Sequence, residues 1–246
     1  MDVFDYTDIG PSKSVNEDTI KVDADRGIYI VADGMSKRNG KVTSNIAVEA
    51  TYEFLKNTQD KLFPKEKINR AILRDAFAAA QSQICQDIQT GQGIDRVGTT
   101  IDILVIQDNT ALLGHVGDSR VYRASAGIVK QLTKDHVETD VLGRMINFIG
   151  NPNYFVDFKR LFLKDNDILM MCTDGIHKYA SENAIKKAML RSNARAEDIG
   201  QAIIDDAQPP NSEIQLATDN MSIIVYRHSF VRKTKSKKIP HLNQHH

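Results

Sequence analysis

The sequence predicts a mixed α+β domain in which β-sheets pack inside layers of helices. Two helical stretches lie in the first half of the chain, and runs typical of strands lie on both sides of them. No repeat or low-complexity linker divides residues 1–227, so we expect a single domain there. A chain of 246 residues, 41% hydrophobic and 26% charged, is long enough and apolar enough for a large core.

The first half of the chain predicts a hairpin followed by two helices. TIKVDAD and IYIVAD predict strands joined by a turn at Asp25–Gly27. A helix is predicted from about Thr43 to Leu55, a stretch without Gly or Pro. Pro64 is predicted to open a second helix, which Gly91 and Gly93 end. Its apolar residues recur at helical spacing and predict a core-facing stripe: Leu73, Phe77, Ala80, Ile84 and Ile88.

The second half predicts mainly strands. These are the runs TTIDILVIQ, ALLGHVGDSRVYRAS, IVKQLT, DFKRLFL, DILMMC and NMSIIVYR. Turns are predicted at Asp108-Asn109 and at Gly127, and helices from about Glu182 to Arg191 and from Ala196 to Ala207.

The charge distribution separates a basic tail from an acidic body. The whole chain is neutral, and its last 19 residues carry five bases and no acid, so residues 1–227 have a net charge of −5. Residues 228–246 are therefore predicted to be a basic, disordered tail that follows the domain. An acidic body argues against a nucleic-acid partner.

Other features of the composition bear on location. The first residues lack the basic and apolar regions of a signal peptide, and no apolar run is long enough to span a bilayer. Two cysteines, Cys85 and Cys172, form neither a disulfide framework nor a metal-ligand spacing, and we interpret both as small buried hydrophobic residues. We expect a cytoplasmic, monomeric protein.

Acidic residues recur where apolar runs meet turns. Four such positions are Asp33, Asp118, Asp174 and Asp219, and Glu17 with Asp18 lies just ahead of the first predicted hairpin strand. Asp is common in turns, so each position alone indicates little, but strand ends can meet at one rim of a sandwich. Carboxylates crowded there repel one another unless a cation lies among them.

The chemistry of these side chains indicates which cation. All offer oxygen, with no organised His or Cys cluster, which favours Mg²⁺ or Mn²⁺ over zinc. Two such ions could activate a water molecule that hydrolyses a phosphate ester. A calcium loop at VDADRG is excluded because Gly34 stands where a bidentate Glu is needed, and a P-loop at Gly34–Lys41 is excluded by spacing and by Val42 in place of Ser or Thr.

The ordered motifs resemble a known family. TDIG with NED, VADGM, GTT, GDSRVYR, LTKDH, TDG and DNMS look like those of the bacterial metal-dependent serine/threonine protein phosphatases, the type 2C class, over residues 3 to 227. The resemblance implies a four-layer α-β-β-α sandwich, with two central antiparallel sheets flanked by helix pairs. It also implies a dinuclear Mn²⁺ or Mg²⁺ centre and phosphoprotein substrates produced by a serine/threonine kinase.

The resemblance also implies roles for individual residues. Asp33 would bridge both ions, and Asp18 would orient the waters around them. The remaining ligands would be Asp174 and Asp219 for one ion, Glu17 and the carbonyl of Gly34 for the other, and Asp118 with Asp174 for a third, weaker ion, with Asn220 supporting Asp219.

This chain departs from the family pattern in three places. The Arg that grips the substrate phosphate is replaced by Lys13, which cannot form the same two-pronged hydrogen bond. Ser36-Lys37-Arg38 stands in place of Gly-Gly-His, and we expect Lys37 or Arg38 either to assist the grip or to be surface bases. The family's flap is shortened to Gly143–Gly150.

Alternatives follow from these departures. One is a phosphatase-like regulatory or binding module with weak or lost turnover, and another is a two-metal hydrolase of a different phosphoester, such as a nuclease. Three histidines lie near the motifs, His115, His136 and His177, and none is assigned as a general acid; His136 is interpreted as structural.

Overall fold

The structure is a computed structural model that describes residues 2–35, 40–63, 66–89, 98–137, 147–191, 193–208 and 219–230. The strands in these ranges are β1 Asp2–Asp8, β2 Asp18–Asp23, β3 Ile28–Met35, β4 Gly98–Thr99, β5 Ile101–Gln107, β6 Thr110–Val116, β7 Arg120–Ser125, β8 Ile128–Gln131, β9 Asp157–Phe162, β10 Ile168–Cys172 and β11 Met221–Arg227. The helices are α1 Gly40–Gln59, α2 Arg70–Gln89, α3 Asp174–His177, α4 Glu182–Met189 and α5 Ala196–Ala207.

The strands form two antiparallel sheets. The first sheet has the strand order β1-β11-β10-β7-β8, and the second has the order β2-β3-β5-β6-β9 with β4 paired to β3. Three buried apolar layers separate the elements. One lies between α1, α2 and the second sheet, one lies between the two sheets, and one lies between the first sheet and α3, α4 and α5. The four-layer α-β-β-α sandwich is therefore confirmed.

β3 shows how the sequence produces these layers. Ile28 and Ile30 pack against the helices, while Tyr29 and Val31 pack between the sheets, and all four side chains are fully buried. Successive side chains of a strand point to opposite faces, so a strand buried on both faces is a continuous apolar run. IYIV in front of the first Asp-Gly is such a run.

The hairpin of β2 and β3, the turns at Asp108 and Gly127 and helix α5 are confirmed, but the bounds of other helices differ. α1 begins at Gly40 and ends at Gln59, so it is longer than predicted. α2 begins at Arg70, so the start predicted at Pro64 is wrong. The Asn69 side chain caps it, accepting the N–H groups of the second and third helical residues at 2.9 and 3.1 Å. Pro64, Gly91 and Gly93 themselves lie outside the described residues.

The run ALLGHVGDSRVYRAS forms two strands, which are separated at the turn predicted at Asp118. β6 belongs to the second sheet and β7 to the first, and residues 117–119, which we call the crossover turn, connect them. Gly117 has a φ of 117°, and a Cβ on it would lie 2.6 Å from the Cβ of Thr100. Only glycine fits this position without strain. The crossover turn carries Asp118 at the end of both sheets.

β1 has no counterpart among the individually predicted strands, because three of its seven residues are Asp, which strands disfavour. At the other end of the chain, described structure continues beyond residue 227. His228 is buried, its N–H donates to the carbonyl of Asp167 at 2.8 Å, and its Nδ1 bonds the hydroxyl of Tyr226 at 2.9 Å. The bases of the tail lie outside the described residues, so the division at 227/228 stays a prediction.

Candidate active site

The acidic residues singled out in the sequence lie at one end of the sandwich. Asp18 and Asp33 are paired partners on β2 and β3, and β3 continues past Asp33 to Met35, so Asp33 lies within the strand and not at its end. Asp118 lies in the crossover turn, Asp174 is the first residue of α3 and lies two residues after the end of β10, and Asp219 precedes β11 by two residues. Residues from both sheets therefore meet here.

These carboxylates interact electrostatically. Burial raises the pKa of Asp33 well above its ordinary value, and the charges of Asp18, Asp174, Asp118 and Asp219 raise it further. Burial also raises the pKa of Asp18 to about 7, a shift that hydrogen bonds from neighbouring hydroxyls oppose. The arrangement disfavours several negative charges in one partly buried space.

Three carboxylate oxygens of this cluster are buried without a hydrogen-bond partner. They are Oδ1 of Asp18, Oδ1 of Asp118 and Oδ1 of Asp174. The other oxygen of Asp18 accepts a hydrogen bond from the hydroxyl of Thr173 at 2.8 Å. A buried carboxylate oxygen that accepts nothing is strongly unfavourable, and a hard cation is a group that can satisfy it. The donor set fits Mg²⁺ or Mn²⁺ because it consists of oxygen alone.

The remaining two ligands of the predicted set lie side by side. The Gly40 N–H donates to Glu17 Oε1 at 3.1 Å, and the Gly34 N–H donates to the Glu17 carbonyl at 3.2 Å. A Cβ on Gly40 would lie 2.3 Å from Glu17 Oε1 and 2.7 Å from the Gly34 carbonyl oxygen. Glycine at position 40 therefore leaves the Glu17 carboxylate and the Gly34 carbonyl next to each other, as one shared ion would require.

Two lysines lie among the carboxylates. Lys13 Nζ is 2.7 Å from Asp219 Oδ1, and Lys178 Nζ is 2.6 Å from Asp174 Oδ2 and 3.9 Å from Asp118 Oδ2. Burial alone would lower the pKa of Lys13, but its hydrogen bond to Asp219 and the charge of that residue outweigh burial and raise it. Among the described residues, no three Asp, Glu, His or Cys side chains already stand in an arrangement that could hold a metal ion. The ammonium groups of Lys13 and Lys178 partly neutralise the negative charge of these carboxylates.

Asn220 organises the segment that carries Lys13 and Glu17. Its N–H donates to Asp219 Oδ1 at 2.8 Å, in line with the predicted support of Asp219. Its side chain also binds three backbone groups of the segment before β2, a role that the sequence did not indicate. Oδ1 accepts the Glu17 N–H at 2.9 Å, and Nδ2 donates to the carbonyls of Ile9 and Val15 at 2.8 and 3.0 Å.

Further residues that support the site were not identified from the sequence. The Thr100 hydroxyl accepts the Asp33 N–H at 2.9 Å, and the Thr99 hydroxyl donates to the Asp33 carbonyl at 2.8 Å. Lys41 Nζ donates to the Asp18 carbonyl at 2.6 Å, so this base fixes the backbone of a site residue. Thr99 and Thr100 belong to the GTT motif, so that motif could have indicated their role at the site. No local sequence pattern indicates that Lys41 contacts the Asp18 carbonyl.

The histidines near the motifs have structural partners. His115 pairs with Asp102 at 2.6 Å, and both side chains are buried. His136 Nδ1 accepts the first N–H of the crossover turn at 3.1 Å, which supports its structural interpretation. His177 Nε2 donates to the Asp118 carbonyl at 3.0 Å, and burial lowers the pKa of His177 to about 4. A neutral His177 therefore holds the backbone of Asp118.

The shortened flap is described in part. Residues 147–150 are described, and Ile149 is buried and bridges to Thr99 by two backbone hydrogen bonds of 3.0 and 2.9 Å. The rest of the predicted flap segment, together with Lys37 and Arg38, lies outside the described residues.

Two sequence comparisons both match this chain to protein phosphatases. The family model "Protein phosphatase 2C" matches residues 11–218. The serine/threonine phosphatase Stp of Listeria monocytogenes is 24% identical over 251 residues, which cover 92% of this chain and 96% of that protein.

The fold has a similar counterpart among solved structures. The serine/threonine phosphatase PstP/Ppp of Mycobacterium tuberculosis superposes with a TM-score of 0.77 at 21% identity, over 91% of this chain and 96% of the other. A structure of the PstP catalytic domain in complex with two manganese ions superposes with a TM-score of 0.76 at 21% identity and the same coverage.

Proposed function

The chain belongs to the protein phosphatase 2C family, and from this premise we propose that it hydrolyses phosphoserine and phosphothreonine in proteins with divalent metal ions. The observation that carries the proposal is the set of three buried carboxylate oxygens without a hydrogen-bond partner, on Asp18, Asp118 and Asp174. Five acidic side chains in one place repel one another, and positive charge among them keeps them ionised. The two lysines present supply part of that charge.

The residues that would hold the ions follow from the family pattern and the neighbours in the structure. Asp33 would be shared between two ions. Asp174 and Asp219 would hold one of them, and Glu17 with the Gly34 carbonyl would hold the other, while Asp118 and Asp174 would form a weaker third position. When bound, such ions activate water and neutralise negative charge on a phosphate ester.

The chain's own groups would orient the reactants. The hydroxyl of Thr173 holds Oδ2 of Asp18, which leaves Oδ1 of Asp18 free to accept a hydrogen bond from the attacking water. Lys13 is partly exposed beside Asp219 and would contact the substrate phosphate by charge and hydrogen bond. No cysteine or serine nucleophile is needed in this arrangement, so no covalent phosphoryl-enzyme would form.

The proposal extends to the metal, the substrates and the location. The PstP catalytic domain binds two manganese ions, which supports Mn²⁺ here, and Mg²⁺ has the same preference for oxygen ligands. We infer that the substrates are phosphoproteins made by a serine/threonine kinase, and that the protein works as a cytoplasmic monomer. No helix in the described part of the chain is long and apolar enough to cross a membrane.

The test is phosphate release from a phosphothreonine peptide and from p-nitrophenyl phosphate, each in Mn²⁺ and in EDTA. Turnover in Mn²⁺ that EDTA abolishes is the expected result. Full activity in EDTA would contradict the proposal, and preferential hydrolysis of a nucleic acid would favour another phosphoesterase.

A binding module without turnover is a second candidate, and the lysines favour it. Lys13 and Lys178 already contact carboxylates that the proposal assigns to metal, so the cluster could be stabilised without ions. Measured Mn²⁺ binding without phosphate release from either substrate would support this candidate over the enzyme.

A further inference from the structure

Lys178 lies between two carboxylates at the edge of the candidate active site. Its Nζ is 2.6 Å from Asp174 Oδ2 and 3.9 Å from Asp118 Oδ2. Lys13, by comparison, contacts Asp219 as its single carboxylate partner among the described residues. The Asp118–Asp174 pair is the one to which the proposed function assigns a weak third ion.

Helix α3 fixes this geometry. Lys178 follows the helix directly, and its N–H donates to the Asp174 carbonyl at 3.0 Å, so its side chain returns over Asp174 one turn earlier. The same turn is tied to the crossover turn, because His177 donates to the Asp118 carbonyl at 3.0 Å. The lysine and both carboxylates are therefore held in one local structure.

We propose that Lys178 is a built-in cation of the Asp118–Asp174 pair, and that a divalent ion binds to this pair only by displacing the Lys178 ammonium group. The inference rests on the proposed function, since it concerns the weakest metal position of that site. In this proposal Lys178 sets the number of divalent ions that the site binds.

The Lys178 ammonium group lowers the net charge that a divalent ion meets at this pair. Two carboxylates carry −2, and the ammonium group reduces this to −1, so a divalent ion gains less attraction than at a bare pair. An ion entering beside the ammonium would also meet a like charge within a few ångström. Each oxygen that Lys178 contacts is Oδ2, whereas Oδ1 of both residues is buried without a partner. The ammonium group thus neutralises the pair without satisfying its inner oxygens.

The test is Mn²⁺ binding by the whole chain, followed from the electron paramagnetic resonance signal of free Mn²⁺ during titration. Lys178→Met removes the charge and keeps the apolar stem. We expect this variant to bind one more ion than the unmodified protein, or to bind its weakest ion about tenfold more tightly. Lys178→Gln, which stays polar, should give the same gain and serves if the Met variant folds poorly.

Two further variants show whether the effect is local. Lys186→Met is a matched control, because Lys186 also forms an i,i+4 pair, with Glu182 at 2.5 Å, away from the cluster. It should leave Mn²⁺ binding unchanged. Asp118→Asn added to Lys178→Met should remove the gained binding, because the divalent ion then loses one carboxylate of the pair.

The outcomes separate this inference from the proposed function. If the unmodified protein binds no Mn²⁺, the proposed function fails and the inference fails with it. If the unmodified protein binds Mn²⁺ and both Lys178 variants bind the same number of ions with the same affinities, the metal site stands and the inference is wrong. A gain that persists with Asp118→Asn, or appears equally in Lys186→Met, would also overturn it.

Discussion

At the scale of one residue, Asp118 shows how burial and a neighbouring carboxylate disfavour negative charge in this cluster. Burial, followed by the charge of Asp174, raises the pKa of the Asp118 carboxyl from its ordinary 3.8 to about 6, and the charge of Lys178 opposes that shift. The folded protein therefore binds a proton more tightly than the unfolded chain does. Its free energy of unfolding falls as the pH rises from about 4 through about 6.

We therefore expect Asp118→Asn to stabilise the metal-free protein. In EDTA at pH 7.5 the free energy of unfolding should rise by about 3 kcal/mol, since the pKa of Asp118 is raised by about two units and each unit corresponds to about 1.4 kcal/mol. At pH 4, where the wild-type carboxyl keeps its proton in the folded state, the two proteins should be about equally stable. Urea unfolding at both pH values measures this difference. A variant that is less stable than the wild type at pH 7.5 in EDTA would contradict the electrostatic explanation.

Lys13 stands where the family pattern has Arg, and we propose that it contacts the substrate phosphate. In the structure it lies on Asp219, 2.7 Å from a carboxylate oxygen, and it remains partly exposed. We expect Lys13→Ala to lower kcat/KM for a phosphothreonine peptide by about tenfold or more, because a charge-assisted hydrogen bond to phosphate is lost.

Lys13→Arg is the matched control and should retain or raise kcat/KM, since guanidinium binds phosphate through two hydrogen bonds. The pair Lys37→Ala and Arg38→Ala, assayed together on the same peptide, tests whether those bases assist. If that pair lowers kcat/KM tenfold while Lys13→Ala changes it less than threefold, the grip does not lie with Lys13.

At the scale of elements, one side chain joins the loop between β1 and β2 to the start of β11. Asn220 accepts the Glu17 N–H and donates to two carbonyls of that loop, with distances of 2.8 to 3.0 Å. Asn220 is buried, so these backbone groups would have few other partners if the amide were removed.

Asn220→Ala should therefore destabilise the fold by about 2 kcal/mol or more and should weaken Mn²⁺ binding, because Glu17 loses the contact that places its backbone. Denaturant unfolding and Mn²⁺ titration measure the two effects. Asn153→Ala, at an exposed position, is the control and should change neither. Wild-type Mn²⁺ affinity in a destabilised Asn220→Ala protein would show that the loop keeps its position without this residue.

The elements also show which parts of the fold local sequence determines. The hairpin of β2 and β3 and helix α5 follow from a turn at Gly27 and from regular apolar spacing, and both were predicted. A turn was predicted at Asp118, but the change of sheet there was not, since the residues on either side of Gly117 are equally strand-like. β1 is stabilised by pairing with β11, more than 200 residues away in the chain, which its own Asp-rich sequence does not indicate.

At the scale of the whole molecule, the two sheets bring distant acids to one end. Asp33, Asp118, Asp174 and Asp219 could be predicted because each lies where an apolar run meets a turn, because three of them are next to a glycine, and because the order of motifs resembles one family. The positions of Lys178, Lys41 and Thr173 could not, since each acts on a partner brought close by folding: Asp118, the Asp18 carbonyl and the Asp18 carboxylate.

The central claim is that this carboxylate cluster holds the divalent ions that hydrolyse a phosphate ester. Asp33 tests it most directly, because its carboxylate interacts with Asp18, Asp118, Asp174 and Asp219. The measurement is the rate of phosphate release from a phosphothreonine peptide during a Mn²⁺ titration, for the wild type, for Asp33→Asn and for Asp205→Asn, an exposed carboxylate on α5.

We expect the wild type and Asp205→Asn to be inactive in EDTA and to gain activity together as Mn²⁺ is added. Asp33→Asn should remain at least about a thousandfold slower at every Mn²⁺ concentration while keeping its fold by circular dichroism. A folded Asp33→Asn protein with the wild-type rate, or a wild type fully active in EDTA, would contradict the claim.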